Sequence, residues 1–158
     1  MIVEATPDDI DELFPLWLEL MQQHQNYHKI FKCKPNHQQA LKTELLSRIK
    51  EKGTQVFAYE QNGEWLGMII CQIRKTIVGF ELSRKGYIAE TIVRSTQRGR
   101  GIGKDLFEAA SNWLQDNGAD HIELQVSVKN QAALSFWQQQ GFAPATQHLV
   151  LILDKPKV

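Results

Sequence analysis

Arg98-Gly99-Arg100-Gly101-Ile102-Gly103-Lys104 is the stretch on which the reading of this 158-residue chain turns. Ahead of it, Tyr87, Ile88, Ala89, Thr91, Ile92 and Val93 read as a strand broken by one charge, Glu90. Behind it, Ile102, Leu106, Ala109, Ala110, Trp113 and Leu114 recur at helical spacing. A strand, a glycine-rich turn and a helix start present bare backbone N–H groups to an anion. The first N–H groups of a helix lack intrahelical partners, and the macrodipole adds positive potential there. Glycines remove the Cβ atoms that would hold a phosphate at a distance. Arg98, Arg100 and Lys104 add formal charge to the same turn. The stretch predicts a pyrophosphate site.

Its spacing rules out two familiar phosphate binders. The dinucleotide fingerprint G-x-G-x-x-G fails because Gly103 arrives one residue early. The mononucleotide P-loop fails because Arg98 stands where its first glycine belongs and Asp105 follows Gly103-Lys104. What fits is R-x-x-G-x-G, read from Arg98, Gly101 and Gly103. It resembles the acyl-CoA-binding signature of the GCN5-related N-acetyltransferase (GNAT) superfamily. A second block, Asn130-Gln-Ala-Ala133-Leu-Ser-Phe136-Trp137-Gln-Gln-Gln-Gly141-Phe142, is similar to the superfamily's N-x-x-A-x-x-F-Y-x-x-x-G-F. There Asn130 caps a helix, Ala133, Phe136 and Trp137 share a face, and Gly141 ends it. Between the blocks Ile122, Leu124 and Val126 alternate with Glu123 and Gln125, as in a half-buried strand. The two blocks span Tyr87 to Phe142, about a third of the chain, in the superfamily's order. The resemblance implies an α/β (α+β) GNAT fold over residues 1–158 as a single domain. Its mixed, mostly antiparallel sheet would be flanked by about four helices and splayed between the two central parallel strands.

Bulk properties agree with one soluble domain. The length allows one core and no second ordinary domain. Hydrophobic residues at 42% and charged residues at 23% are ordinary for a globular chain. The net charge is zero, so neither nucleic acid nor an anionic membrane is expected as partner. Cys33 and Cys71 have no motif spacing and read as two reduced thiols. No apolar run reaches ~18 residues and the N-terminus has no signal-peptide pattern, which makes a cytoplasmic location the expectation.

Taken in order, residues 1–5 read as a strand, and Thr6-Pro7-Asp8-Asp9 as a helix start with Thr6 at the cap. The following helix carries Ile10, Leu13, Phe14, Trp17, Leu20, Met21 and His24 on one stripe, with Pro15 expected to kink it or set its first turn apart. Residues 22–35 are polar and aperiodic, mixing histidines with aromatics. Asn36 is expected to cap a second helix that buries Ala40, Leu41, Leu45, Leu46 and Ile49 and stops at Gly53. Asn62-Gly63 predicts a hairpin between residues 56–60 and 65–73. Arg74 to Lys85 reads as a loop whose Ile77, Val78 and Phe80 line an acceptor site or a subunit contact. Residues 147–153 alternate as a last strand, and 154–158 form a tail.

The resemblance also assigns roles. Acetyl-CoA is the implied acyl donor, with no metal. It would be held by Thr91, Ile92, Val93, Arg98, Gly99, Arg100, Gly101, Ile102, Gly103, Lys104, Asn130 and Phe136. The backbone N–H groups of Thr91 to Val93 would face the oxyanion. The segment between the first two helices often walls the acceptor pocket in this superfamily, which makes His24, Tyr27, His28 and Phe31 the candidate acceptor contacts. An exposed helix end is the other reading of that segment, and a metal pair at His24 and His28 lacks a third ligand. Glu90 is the candidate base: a lone carboxylate in an apolar strand, expected to point opposite to Ala89 and Thr91, with burial raising its pKa. Polyamine-type members carry their glutamate one position earlier, at Ala89 here, so base action through water and a structural Glu90 stay open. Trp137 stands where many members have a tyrosine acid. Indole N–H is too weak an acid for that role, so Trp137 reads as packing, and Tyr27, Tyr87 and His148 are the available substitutes. The implied activity is transfer of an acetyl group to a primary amine of a small molecule or peptide. A non-catalytic acyl-CoA-binding module and a protein lysine or N-terminal acetyltransferase are the alternatives. Exposed edge strands leave room for a homodimer.

Overall fold

Thr6 ends the first strand and starts the first helix. After β1 (Ile2–Ala5), the Thr6 hydroxyl accepts from the Asp8 N–H at 3.3 Å, and the Asp9 carboxylate accepts from the Thr6 N–H at 2.9 Å. This reciprocal cap sets a 3-10 turn at Pro7–Asp9, from which α1 (Ile10–Gln25) runs on through Pro15. The separate first turn expected from Pro15 therefore lies upstream of it. Asn36 is not the cap of the second helix. It takes a left-handed φ of 59°, and α2 (Gln38–Ile49) starts after His37, which makes no side-chain cap bond. Leu45 and Ile49 are buried as expected, whereas Ala40 is exposed. The computed structural model describes residues Met1–Asp154; of the expected tail, residues 155–158 lie outside the described residues.

Asn62 and Gly63, at φ 55° and 81°, close the turn from β2 (Thr54–Gln61) to β3 (Glu64–Lys75). β4 (Arg84–Val93) then pairs antiparallel with β3. This ladder is longer than the sequence suggests, because Arg74 lies opposite Lys85 and Lys75 opposite Arg84. The Arg74 guanidinium sits 4.0 Å from the centre of the Tyr87 ring, a cation–π contact that extends the strand pair. The expected Arg74–Lys85 loop shrinks to residues 76–83, with Ile77, Val78 and Phe80 exposed at its tip. After α3 (Ile102–Asp116), β5 (His121–Leu124) adds parallel to β4. The sheet order is β1-β2-β3-β4-β5, mixed and mostly antiparallel.

One core joins α1 and α2 to a face of this sheet: Leu13, Leu16, Trp17, Leu20, Leu45 and Ile49 meet Val56, Met68, Ile70 and Ile92. α3 covers the other face. At Gly67 an added Cβ would lie 3.1 Å from the Leu106 side chain and 2.9 Å from the Ile92 carbonyl oxygen, so glycine there lets helix and strand approach.

Contacts within the chain gather into two units, residues 1–125 and 126–158. In the second, α4 (Gln131–Gln139) begins with the Asn130 side chain accepting from the Ala133 N–H at 3.1 Å. It ends with Gly141 at φ 104°, the Gly141 N–H on the Gln138 carbonyl at 3.0 Å and the Phe142 N–H on the Trp137 carbonyl at 3.1 Å. That bond pair is a Schellman cap, and the Phe142 and Trp137 rings meet edge to face at 5.5 Å to complete it. The strand expected over residues 147–153 is not formed. Leu149, Leu151 and Leu153 are exposed, and the segment has no ladder partner among the described residues. An alternating apolar pattern makes a strand only where a neighbour takes up its backbone groups.

Candidate active site

The parallel pair β4–β5 breaks early. It registers Lys85 with His121 and ends at Ile88 with Leu124, whereas β4 continues to Val93. Residues Ala89–Val93 thus keep β3 on one side and have no strand partner on the other among the described residues. The hydroxyl of Thr91 in this half is buried without a hydrogen-bond partner. A buried polar atom left unsatisfied costs about 1–3 kcal/mol, and such an atom beside an open strand edge suits an extended polar ligand.

The open half runs into the glycine turn. Ser95–Gln97 is a 3-10 turn, Gly99 and Gly101 take φ of 79° and 82°, and α3 starts at Ile102 with no side-chain cap. Left-handed φ at these two positions costs a residue with a Cβ about 1–2 kcal/mol, so glycine is the residue that lets the N–H groups converge. Arg98, Arg100 and Lys104 are exposed around the turn, while Ile102 is buried under it. Arg100 donates to the side chains of Gln97 and Gln61. A polar cleft of about 420 Å³ lies between Pro15, Leu18, Glu19 and Gln22 of α1 and Arg94–Thr96. Its wall is fixed by Glu19, which accepts from the Ser95 N–H at 3.0 Å and lies 3.6 Å from the Arg94 guanidinium.

Glu90 owes its orientation to a β-bulge. Ile70 pairs with Glu90 and Cys71 with Ile88, so Ala89 is an extra residue in β4. Simple alternation would put Ala89 and Glu90 on opposite faces. Instead Ala89 packs on the α1–α2 core, and Glu90 points to the same side, where Arg48 of α2 meets it at 3.0 Å. The expected opposition of Glu90 and Ala89 is corrected by this bulge, while Thr91 does face the other way, opposite Ile69. The Glu90 side chain is 13% exposed. Burial pushes its pKa up; the Arg48 charge, the Trp17 indole N–H and His24 pull against it. That indole N–H is buried and turned to the carboxylate, short of a hydrogen bond of full geometry.

Residues 16–142 match the Acetyltransferase (GNAT) family, a span that covers most of the chain and reaches into both units. The chain belongs to that family. It is 34% identical over 86 residues to N-alpha-acetyltransferase 30 of Schizosaccharomyces pombe, a match covering 54% of this chain and 55% of that protein. The chain thus spans about half the length of this curated relative. A mutant Bacillus halodurans protein has the same fold, with a TM-score of 0.84 at 24% identity over 97% of this chain and 99% of the other. An aminoglycoside N-acetyltransferase in complex with CoA aligns with a TM-score of 0.74 at 18% identity, covering 98% and 94%.

Within this GNAT fold, three of the four acceptor candidates gather around His24, whose charge reaches Glu90. The His24 ring meets Tyr27 at 5.6 Å and Phe31 at 5.2 Å, both edge to face. His24 Nδ1 donates to the Leu20 carbonyl at 2.8 Å, which fixes the ring and its tautomer. His28 is not part of the cluster: its Nδ1 accepts from the Ile30 N–H at 3.1 Å and caps a 3-10 turn at Lys29–Phe31. Val93 and Ile92 end β4, with Ile92 buried in the α1–α2 core. Asn130 and Phe136 lie in the second unit, where Asn130 caps α4 and Phe136 meets Trp137 at 4.8 Å. Trp137 is 6% exposed, as a packing residue is. Sequence reasoning missed Arg48 and the polar edge of Trp17. Arg48 stands four residues after Glu44 and pairs with it on α2, and no local pattern signals a reach from α2 to β4. Among the described residues no group of three His, Cys, Asp or Glu side chains is placed to hold a metal.

Proposed function

We propose that the chain is an acetyl-CoA-dependent N-acetyltransferase that acts on a primary amine of a small molecule or peptide, as a single domain over residues 1–158 in the cytoplasm. The observation that carries this reading is the parting of β4 from β5 after Ile88, which leads an open strand edge straight into the uncapped start of α3. The pantetheine arm would lie along Ala89–Val93 as a surrogate strand, and the thioester is the activated acyl group it brings. The pyrophosphate would rest on the N–H groups of residues 99–104, with Arg98, Arg100 and Lys104 supplying charge. A CoA complex of an aminoglycoside N-acetyltransferase with the same fold supports the choice of donor.

In the transfer, the amine lone pair attacks the thioester carbonyl carbon, the C–N bond forms and the carbonyl oxygen becomes an oxyanion. It faces the open-edge N–H groups within Thr91 to Val93, those of Thr91 and Val93, since the ladder turns that of Ile92 toward β3. Collapse breaks the C–S bond, and the thiolate leaves with the electron pair and takes a proton from solvent. The ammonium proton passes to Glu90, whose burial makes it a stronger base than an exposed carboxylate. Direct attack is favoured over an acyl-cysteine route, because burial pushes the Cys71 thiol up to about 12. His24, Tyr27 and Phe31 would flank the acceptor. N-alpha-acetyltransferases and aminoglycoside acetyltransferases among the similar proteins keep both peptide N-termini and small amines in view.

The test is thiol release from acetyl-CoA against amino acids, spermidine, an aminoglycoside and N-terminal peptides. Turnover with one class fixes the acceptor; CoA binding without turnover in any class overturns the catalytic reading. Glu90→Gln is expected to cut turnover about 10²-fold or more with CoA affinity unchanged, and an unaltered rate removes Glu90 from the reaction.

A further inference from the structure

Arg48 holds Glu90 by one oxygen only. Its Nη1 donates to Oε1 at 3.0 Å, and the buried Trp17 indole N–H is turned to the same carboxylate without completing a hydrogen bond of full geometry. Ion pairs that serve only to tie two elements together at a surface are worth little, and this one is built with more care. The guanidinium is steadied from its own helix, where Nε donates to Glu44 Oε1 at 3.1 Å. Its centre stands 5.8 Å from that of the Trp17 ring, so the planar group is oriented as well as charged. Arg48 itself is 45% exposed, at the rim, whereas the carboxylate it reaches is 13% exposed. Three elements pack against Glu90. α1 presents Trp17 and His24, α2 presents Arg48 with Glu44 behind it, and β3 presents the apolar Ile70 across the ladder.

We propose that Arg48 is a positioning residue for the transfer reaction: it fixes Oε1 of Glu90 so that Oε2 is turned to the acceptor's nitrogen and takes its proton. The inference rests on Glu90 as the base. Two opposed influences then set the working state of Glu90. Burial disfavours the carboxylate form that accepts a proton, whereas full exposure would leave the group a weaker base. Arg48 returns part of the ionisation that burial takes away, and because it engages a single oxygen it does so without occupying the atom that reacts. Lysine could supply the charge but not the rigid fork, so the two contributions of the side chain are separable.

The experiment is a carbon-13 NMR titration of the Glu90 carboxyl in the full chain, assigned with Glu90→Gln, in the parent, Arg48→Gln and Arg48→Lys. Arg48→Gln is expected to raise the midpoint by about one unit or more, a tenfold change in ionisation at fixed pH. Arg48→Lys should bring it most of the way back. Thiol release in the same variants should fall with Arg48→Gln on the acid side of the pH profile, with the acetyl-CoA KM unmoved. A parent-like midpoint in Arg48→Gln, or equal shifts in both variants, overturns the proposal. Parent-like turnover in Glu90→Gln overturns it from the other side, by taking Glu90 out of the reaction. Loss in Glu90→Gln beside an unmoved titration in Arg48→Gln condemns the role of Arg48 alone.

Discussion

From Arg84 to Ile88, β4 is bonded to β3 on one side and, from Lys85 on, to β5 on the other; from Glu90 to Val93 it is bonded, among the described residues, to β3 alone. The paired half carries two cations, Arg84 and Lys85, and the open half one carboxylate, Glu90, and the polar groups of the two are treated differently. In the paired half Tyr87 lies under Arg74, and Lys85 reaches Glu123 at 3.7 Å across the parallel pair, so charge is spent on holding strands together. In the open half Glu90 is drawn in behind a bulge and the Thr91 hydroxyl is buried unpaired. Backbone and side-chain groups that a paired strand would satisfy are left in stock at one end. That is the arrangement expected of a strand that completes its ladder with a ligand.

The strongest way to break this contrast is at the turn that the open half feeds. Gly101→Glu is expected to weaken CoA binding by about 100-fold or more, since a carboxylate set against a pyrophosphate costs several kcal/mol. No atom lies within 4 Å of a Cβ built at Gly101, so the substitution strains φ without a clash. Gly101→Ala carries that strain and no charge, and separates the two effects. Calorimetric titration with CoA reads both, and equal affinities for parent and Gly101→Glu would remove the phosphate site. Thr91→Val sharpens the contrast with a smaller effect of two opposite signs. Replacing an unsatisfied buried hydroxyl by a methyl should stabilise the free protein by about 1 kcal/mol, while acetyl-CoA affinity drops about tenfold. A loss of stability on Thr91→Val would show that the hydroxyl is already paired in the free protein.

How much of this could be read from residues alone follows the range of the interactions. The turn at residues 98–104 is local: its glycines, its cations and the helix after it are adjacent in the chain, and it stands where the sequence puts it. The Asn62-Gly63 hairpin and the Asn130 and Gly141 caps are local too. Glu90 could be picked out as a charge in an apolar strand, but its direction could not, because the bulge at Ala89 is set by the register with Ile70 and Cys71. Arg48 was invisible for the same reason, since the bond that matters spans 42 residues. Residues 147–153 failed in the opposite sense. Their alternation is real, but periodicity states only what a strand would bury if a neighbour were there.

The paired half has its own lock, and its pH dependence should leave the open half untouched. His121 places Nδ1 at 2.7 Å from Asp120 Oδ1 and Nε2 at 2.8 Å from Glu123 Oε2, and the other Asp120 oxygen accepts from the Ser83 N–H at 2.8 Å. The Asp120 hydrogen bond, with Glu123 behind it, pushes the His121 pKa up, and the His121 bond holds the Asp120 carboxyl below its ordinary range. A histidine raised on folding contributes stability that is complete below its unfolded value, about 6.5, and is lost as pH climbs through the folded one. A depressed aspartate contributes above about 3.9 and loses it as pH falls through its folded value. The lock is therefore strongest between about pH 4 and 6.5. Both groups are near solvent, so the effect is small: a melting midpoint about 2 °C higher at pH 5.5 than at pH 8. His121→Asn should flatten that slope while CoA affinity, read by the same calorimetry, stays at the parent value. If the variant keeps the slope, the imidazolium is not what holds β5 to β4; if it loses CoA as well, the two halves of the strand are one unit rather than a clamp and an open edge.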